Sequence, residues 1–202
     1  MLSMFLMVQL AATPDSGVFR VDDFPEFLLE SGKSYQIPAR ILVGLDGKPI
    51  SCDVEQPSDK RRLDKYTCEI LVKRARFAPP KWHDGTPAHG LYRQKISWAF
   101  ESPTVLGADL DIAVNKLPVG VKAPAQIFLN VDVDTKAVAA SCANAPSNSL
   151  PSPNRSDQAE LIRLACGELI KSWKFFVPTD ASGQPLRTIQ NFVVLIGEER
   201  RK

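Results

Sequence analysis

Leu63-Asp64-Lys65-Tyr66-Thr67-Cys68 returns 98 positions later as Leu161-Ile162-Arg163-Leu164-Ala165-Cys166. The same offset relates Phe77 to Phe175, Gly85 to Gly183 and Pro87 to Pro185. Agreement at five positions with one offset reads as a unit written twice. Working outward, Pro38-Ala39-Arg40-Ile41 reappears as Pro124-Ala125-Gln126-Ile127, an offset of 86, and Cys52 reappears as Cys142, an offset of 90. On this reading the offset grows by four in the first hairpin. It grows by eight more before the helix, where residues 148–154 read as an inserted loop. Insertions confined to loops are what two copies of one fold show. The chain therefore reads as two tandem domains, residues 18–101 and 108–198, joined around residues 102–107.

Both copies carry the same local signals. In the first, Ile41, Val43 and Leu45 alternate as a half-buried strand requires. Asp46-Gly47 supplies the residues of a two-residue hairpin turn, and Ile50, Cys52 and Val54 alternate in the returning strand. Ser58 or Asp59 can cap a helix whose apolar stripe is Leu63, Tyr66, Thr67, Ile70 and Leu71. Pro79-Pro80 ends it, Asp84-Gly85 turns the chain, and residues 91–100 form a last strand. The second copy gives strands over residues 127–133, 138–142 and 188–196, with a helix opened by Asp157. The expected class is α+β: two tandem β-β-α-β domains, each a small antiparallel sheet with one packed helix.

The cysteines follow the same plan. In each copy one Cys (Cys52, Cys142) ends the second strand and another (Cys68, Cys166) lies in the helix packed on it. A bridge within each copy would staple helix to sheet, contributing roughly 3 kcal/mol in the chain-entropy model. The alternative is four buried free thiols. The spacings match no zinc-finger or zinc-ribbon pattern, and His83 and His89 are the only histidines.

Composition excludes several classes. Hydrophobic residues make up 44% and charged residues 24%, which is globular rather than disordered. The net charge of +2 is spread evenly between the halves, so the basic footprint that a phosphate backbone demands is missing. No nucleophile–histidine pairing or metal signature stands out, and the chain reads as a non-enzyme without a cofactor. Lys73, Arg74 and Arg76 read as a solvated helix end. Residues 1–12 are apolar but too short to span a bilayer. They fit a signal peptide lacking the usual basic start, or else an ordinary buried segment or a misplaced start codon.

Residues 22–98 resemble the C-terminal domain of TonB. The resemblance is carried by Asp22-Asp23-Phe24-Pro25, Gly47, Cys52, Leu63-Asp64, Thr67-Cys68, Arg74-Ala75-Arg76-Phe77, Pro79, Asp84-Gly85 and Trp98. The second copy matches more weakly, with Leu110-Asp111 in place of Phe24-Pro25 and Leu161-Ile162 in place of Leu63-Asp64. The resemblance implies a periplasmic module that pairs with an extended segment of a TonB-dependent outer-membrane receptor through its last strand. Phe24, Pro25, Tyr92, Ile96 and Trp98 are then the peptide-site residues, and a proline at Ile96 is expected to spoil the edge. A membrane anchor and long spacer of the energy-transducing kind are not in evidence ahead of residue 22. The alternative is a structural envelope module that self-associates through free strand edges.

Overall fold

The structure, a computed structural model, describes residues 18–29, 32–99, 108–121, 123–145 and 155–198. The apolar start, the joint at 102–107, the insert at 148–154 and Phe100 lie outside the described residues.

A 3-10 turn at Val21–Asp23 leads into a short helix α1 (Glu26–Leu29). The first half continues as β1 (Tyr35–Val43), β2 (Pro49–Val54), helix α2 (Arg61–Arg74) and β3 (His89–Trp98). The second half runs β4 (Leu110–Val114), β5 (Ala125–Val133), β6 (Ala139–Asn144), helix α3 (Arg155–Ser172) and β7 (Thr188–Glu198). The fold is mixed, with few helices on a mostly antiparallel sheet, in keeping with the α+β class.

The two halves do not stand as separate sheets. All seven strands form one sheet in the order β2-β1-β3-β7-β5-β6, with β4 also paired to β7. The join is a short parallel pairing of His89, Gly90 and Leu91 with Thr188, Ile189 and Gln190. Odd residues of β3 thus share a face with even residues of β7. Ile96 and Trp98 of β3 belong to the core under α2, whereas Phe192, Val194 and Ile196 of β7 belong to the core under α3. The two helices therefore cover opposite faces of the sheet. Each half's bare face is reached by the other half's segment between helix and last strand. Arg40 lies 3.9 Å over the Phe176 ring, and Arg187 lies 4.2 Å over Trp82.

The strands form where apolar residues alternate. Ile37, Ala39, Ile41 and Val43 are buried on one side of β1, as Ile127, Leu129, Val131 and Val133 are in β5. The hairpin is a three-residue loop rather than the expected two-residue turn. Gly44 N–H donates to the Lys48 carbonyl, and Gly47 N–H donates back to Gly44. Gly47 has φ 80°, and a Cβ there would meet the Phe77 carbonyl oxygen at 2.1 Å, so only glycine fits.

The offset of 86 does not survive. Asp134 N–H donates to Val138 just as Gly44 donates to Lys48, and Ala145 N–H donates to Phe128 just as Glu55 donates to Pro38. The hairpins therefore correspond at 90 throughout, and Pro38 matches Phe128 rather than Pro124. A shift of four keeps the same side chains on the same face of a strand, so alternation alone could not detect it.

Helix α2 begins later than expected. Lys60 occupies the cap position without a side-chain cap bond, while Ser58 donates its hydroxyl to Asp64 at 2.7 Å. Helix α3 starts at Arg155, which puts Asp157 inside its first turn. Cys52–Cys68 and Cys142–Cys166 form the two disulfides, with Cα separations of 5.3 and 5.9 Å. Among the described residues no helix is long and apolar enough to cross a membrane.

Candidate functional site

Strands β3 and β7 part after their short pairing, and one side chain marks the fork. Arg93 N–H donates to Asn191 Oδ1 at 2.8 Å, and Asn191 Nδ2 donates to the Arg93 carbonyl at 3.4 Å. The Arg93 amide groups thus face β7. Backbone direction alternates along a strand, so those of Lys95 and Ser97 face the same way. Pro38, opposite Lys95 on β1, agrees: it has no N–H, and its carbonyl turns away to accept from Glu55. Tyr92, Gln94, Ile96 and Trp98 spend their backbone groups on β1. Among the described residues, no strand pairs with the β3 edge beyond Leu91.

The matching edge of β7 is filled. At the offset of 98, Val193 corresponds to Lys95, and Leu195 to Ser97. Asp109 N–H donates to the Val193 carbonyl at 2.8 Å, and Val193 N–H donates to Asp109 Oδ2 at 2.7 Å. Leu110–Val114 then runs parallel along Val194 to Glu198. Leu110, Ile112 and Val114 are too short an alternation to mark a strand in the sequence alone.

Beside the open β3 edge lies a cleft of about 760 Å³, walled by Phe19, Arg20, Asp22 and Phe24 on one side and by β3 on the other. Trp98 forms its floor. The indole Nε1 donates to Thr67 Oγ1 at 2.9 Å, and Phe19 meets the ring edge-on at 5.4 Å. Phe24 stands 6.1 Å from it. Lys95 extends over the rim and donates to the Ala108 carbonyl at 3.1 Å.

The sequence-derived site residues divide into two groups. Phe24 borders the cleft, whereas Pro25 lies outside its walls and accepts from Leu28 N–H at the start of α1. Tyr92, Ile96 and Trp98 turn their side chains to the α2 side of β3, where Ile96 and Trp98 join the core and also line the cleft. Tyr92 packs 5.2 Å from Phe77, and burial pushes its phenol up to about 12. Within the last strand, the outward-facing backbone groups beyond the fork are those of Lys95 and Ser97. The polar group at 73–76 is also not simply solvated, since Arg74 reaches the buried carboxylate of Asp23 at 2.5 Å.

Under the fork sits a charged hub. Arg93, 8% exposed, donates to Glu55 at 2.8 Å and to Gln190 at 3.2 and 3.3 Å, with its guanidinium 4.6 Å over Phe192. Burial lowers its pKa against the opposing pull of Glu55. Burial likewise raises the carboxyl of Asp109, opposed by its bond from Val193 and by Arg93. Among the described residues, no three metal-ligating side chains converge. A second, shallow groove of about 770 Å³ runs between β2 and α2 beside the Cys52–Cys68 disulfide. No family model, curated protein or solved structure matches this chain.

Proposed function

We propose that the protein is a non-enzymatic binding module of the bacterial periplasm that takes an extended peptide strand on the β3 edge. The single observation that carries this is the contrast between the two halves. A parallel strand closes the edge of β7, while the equivalent groups of Lys95 and Ser97 face an open cleft. Main-chain bonds then supply affinity, and alternate side chains supply preference. The halves are two β-β-α-β copies related to the TonB C-terminal domain, the second having lost its edge to β4. The two disulfides fit an oxidising compartment, and the natural partner in this reading is a segment of a TonB-dependent outer-membrane receptor.

The test is calorimetric titration of the folded chain with an extended receptor-derived peptide. Ser97→Pro removes an N–H that faces the cleft while leaving the β1 ladder whole, and it should weaken binding by about tenfold or more. Val54→Pro, at an outward-facing N–H on the far edge β2, should leave binding unchanged. Equal effects of the two substitutions would remove the β3 edge from consideration. Loss of peptide binding alongside concentration-dependent dimerisation would favour the self-associating module.

A further inference from the structure

Ahead of its first long strand, each half carries an arm with an aspartate, and the two aspartates turn in different directions. Asp109 turns to the edge strand and clamps Val193 through both its N–H and its carboxylate. Asp23 turns to the helix instead. Its Oδ2 accepts from Arg20 N–H at 2.7 Å and from Arg74 Nη1 at 2.5 Å, and the residue is only 6% exposed. At the offset that superposes α2 on α3, Arg74 corresponds to Ser172. The hydroxyl of Ser172 donates to the Glu168 carbonyl of its own helix at 2.6 Å and offers an arm no cation. The helix with an arginine at this position thus holds its arm, and the helix without one leaves its arm on the sheet. The held arm already borders the edge it does not fill, through Phe19, Arg20, Asp22 and Phe24.

We propose that Arg74 is a latch that keeps the first arm off the β3 edge, and that without it the arm lies down as a parallel strand along residues 95–99. The closed form would copy β4 on β7: the same outward N–H and carbonyl groups, the same strand direction, and an aspartate free to accept from an edge amide. Phe19 and Phe24 already stand against Trp98 at the border of the cleft in the latched form. Arg74 donation also holds the Asp23 carboxyl below the usual carboxylate range, so the latch is ionised throughout neutral pH. The proposal deepens the peptide-binding reading, since a closed arm competes with any incoming strand, but the latch itself requires no ligand.

Hydrogen exchange at the Lys95 and Ser97 amides, measured on the whole chain without peptide, tests the latch directly. In Arg74→Ser both amides should exchange about tenfold more slowly than in the parent, because the arm now covers them. The outward amides of Cys52 and Val54 on β2 serve as controls and should not change. Arg74→Lys retains a cation and should stay close to the parent. Peptide affinity should fall in Arg74→Ser and be retained in Arg74→Lys. Slowed amides in a chain that binds no peptide in any form uphold the latch and remove the peptide reading. Unchanged or faster exchange in folded Arg74→Ser overturns the latch. So does a chain that unfolds without Arg74, because a latch requires both states to be folded.

Discussion

Asn191 caps Arg93: one amide side chain takes the N–H and gives to the carbonyl of the same residue on the neighbouring strand. It stands where a further rung of the β3–β7 ladder would form, so the parallel pairing stops and the two edges separate. Asn191→Ala leaves two part-buried backbone groups of Arg93 to find other partners. The expected loss is about 1–2 kcal/mol, read from the denaturant midpoint at unchanged slope.

A proline on β3 should act in two different ways at adjacent positions. Ile96 is 6% exposed, and its N–H belongs to the β1 ladder opposite Ile37. Ile96→Pro therefore attacks the fold rather than the binding edge, with a loss of at least about 3 kcal/mol from the deleted core side chain and ladder bond. Ser97→Pro should leave the unfolding midpoint far closer to the parent. Similar midpoints for the two variants would show that the outward direction of Ser97 is misassigned.

Removing a disulfide should be costly but local. Paired Cys52→Ala/Cys68→Ala or Cys142→Ala/Cys166→Ala substitutions open loops of 16 and 24 residues, each worth on the order of 3 kcal/mol. Mass spectrometry of unreduced digests should find Cys52 linked to Cys68 and Cys142 linked to Cys166. A crossed linkage would contradict the stapling of each helix to its own hairpin.

Arg93 ties the halves together through Glu55 on one side and Gln190 on the other. Arg93→Ala leaves Glu55 only its longer ion pair with Arg40, at 3.6 Å, and leaves Gln190 Oε1 without these donors, for an expected loss of about 2–4 kcal/mol. The figure lies below that of a fully enclosed pair because the Glu55 side chain keeps 25% of its surface in water. Thermal unfolding followed by Trp fluorescence should register the loss in both halves at once. Loss confined to the first half would mean that the hub does not couple them.

Acid should release Asp23 late. Its folded pKa lies below the unfolded value of about 3.9, chiefly through Arg74. Its contribution is therefore full above the unfolded pKa and is lost only as pH falls through the folded value. Asp23→Asn should flatten the stability profile below about pH 4 and leave its shape near neutrality unaltered, as unfolding at a series of pH values would show. A flattening centred near pH 7 would assign the titration to another group.

Much of this molecule was legible because its elements are amphipathic at the local scale. The alternation of Ile41 and Val43, the stripe from Leu63 to Leu71 and the regular placement of four cysteines all reflect one side of an element meeting a core, whereas Leu45, the next position of that alternation, falls in the exposed hairpin loop. Periods of two and of 3.6 residues are properties of a single segment, so one sequence suffices to reveal them. What the tertiary structure alone decided lies between segments. Strand alternation repeats every two residues, so nothing local could separate an offset of 86 from one of 90. Likewise, the direction of a backbone amide depends on which neighbour its strand pairs with, and residue type does not record that. Hence the last strand was legible as an edge, but not which of its amides face outward, those of Lys95 and Ser97. Tyr92, Ile96 and Trp98, on one face by the period of two, pack on the α2 core, with Ile96 and Trp98 also lining the cleft. The union of the halves into one sheet, the capture of β4 by β7 and the reach of Arg74 to Asp23 are long-range pairings. Each arises from a partner far away in sequence, and only folding brings those partners together.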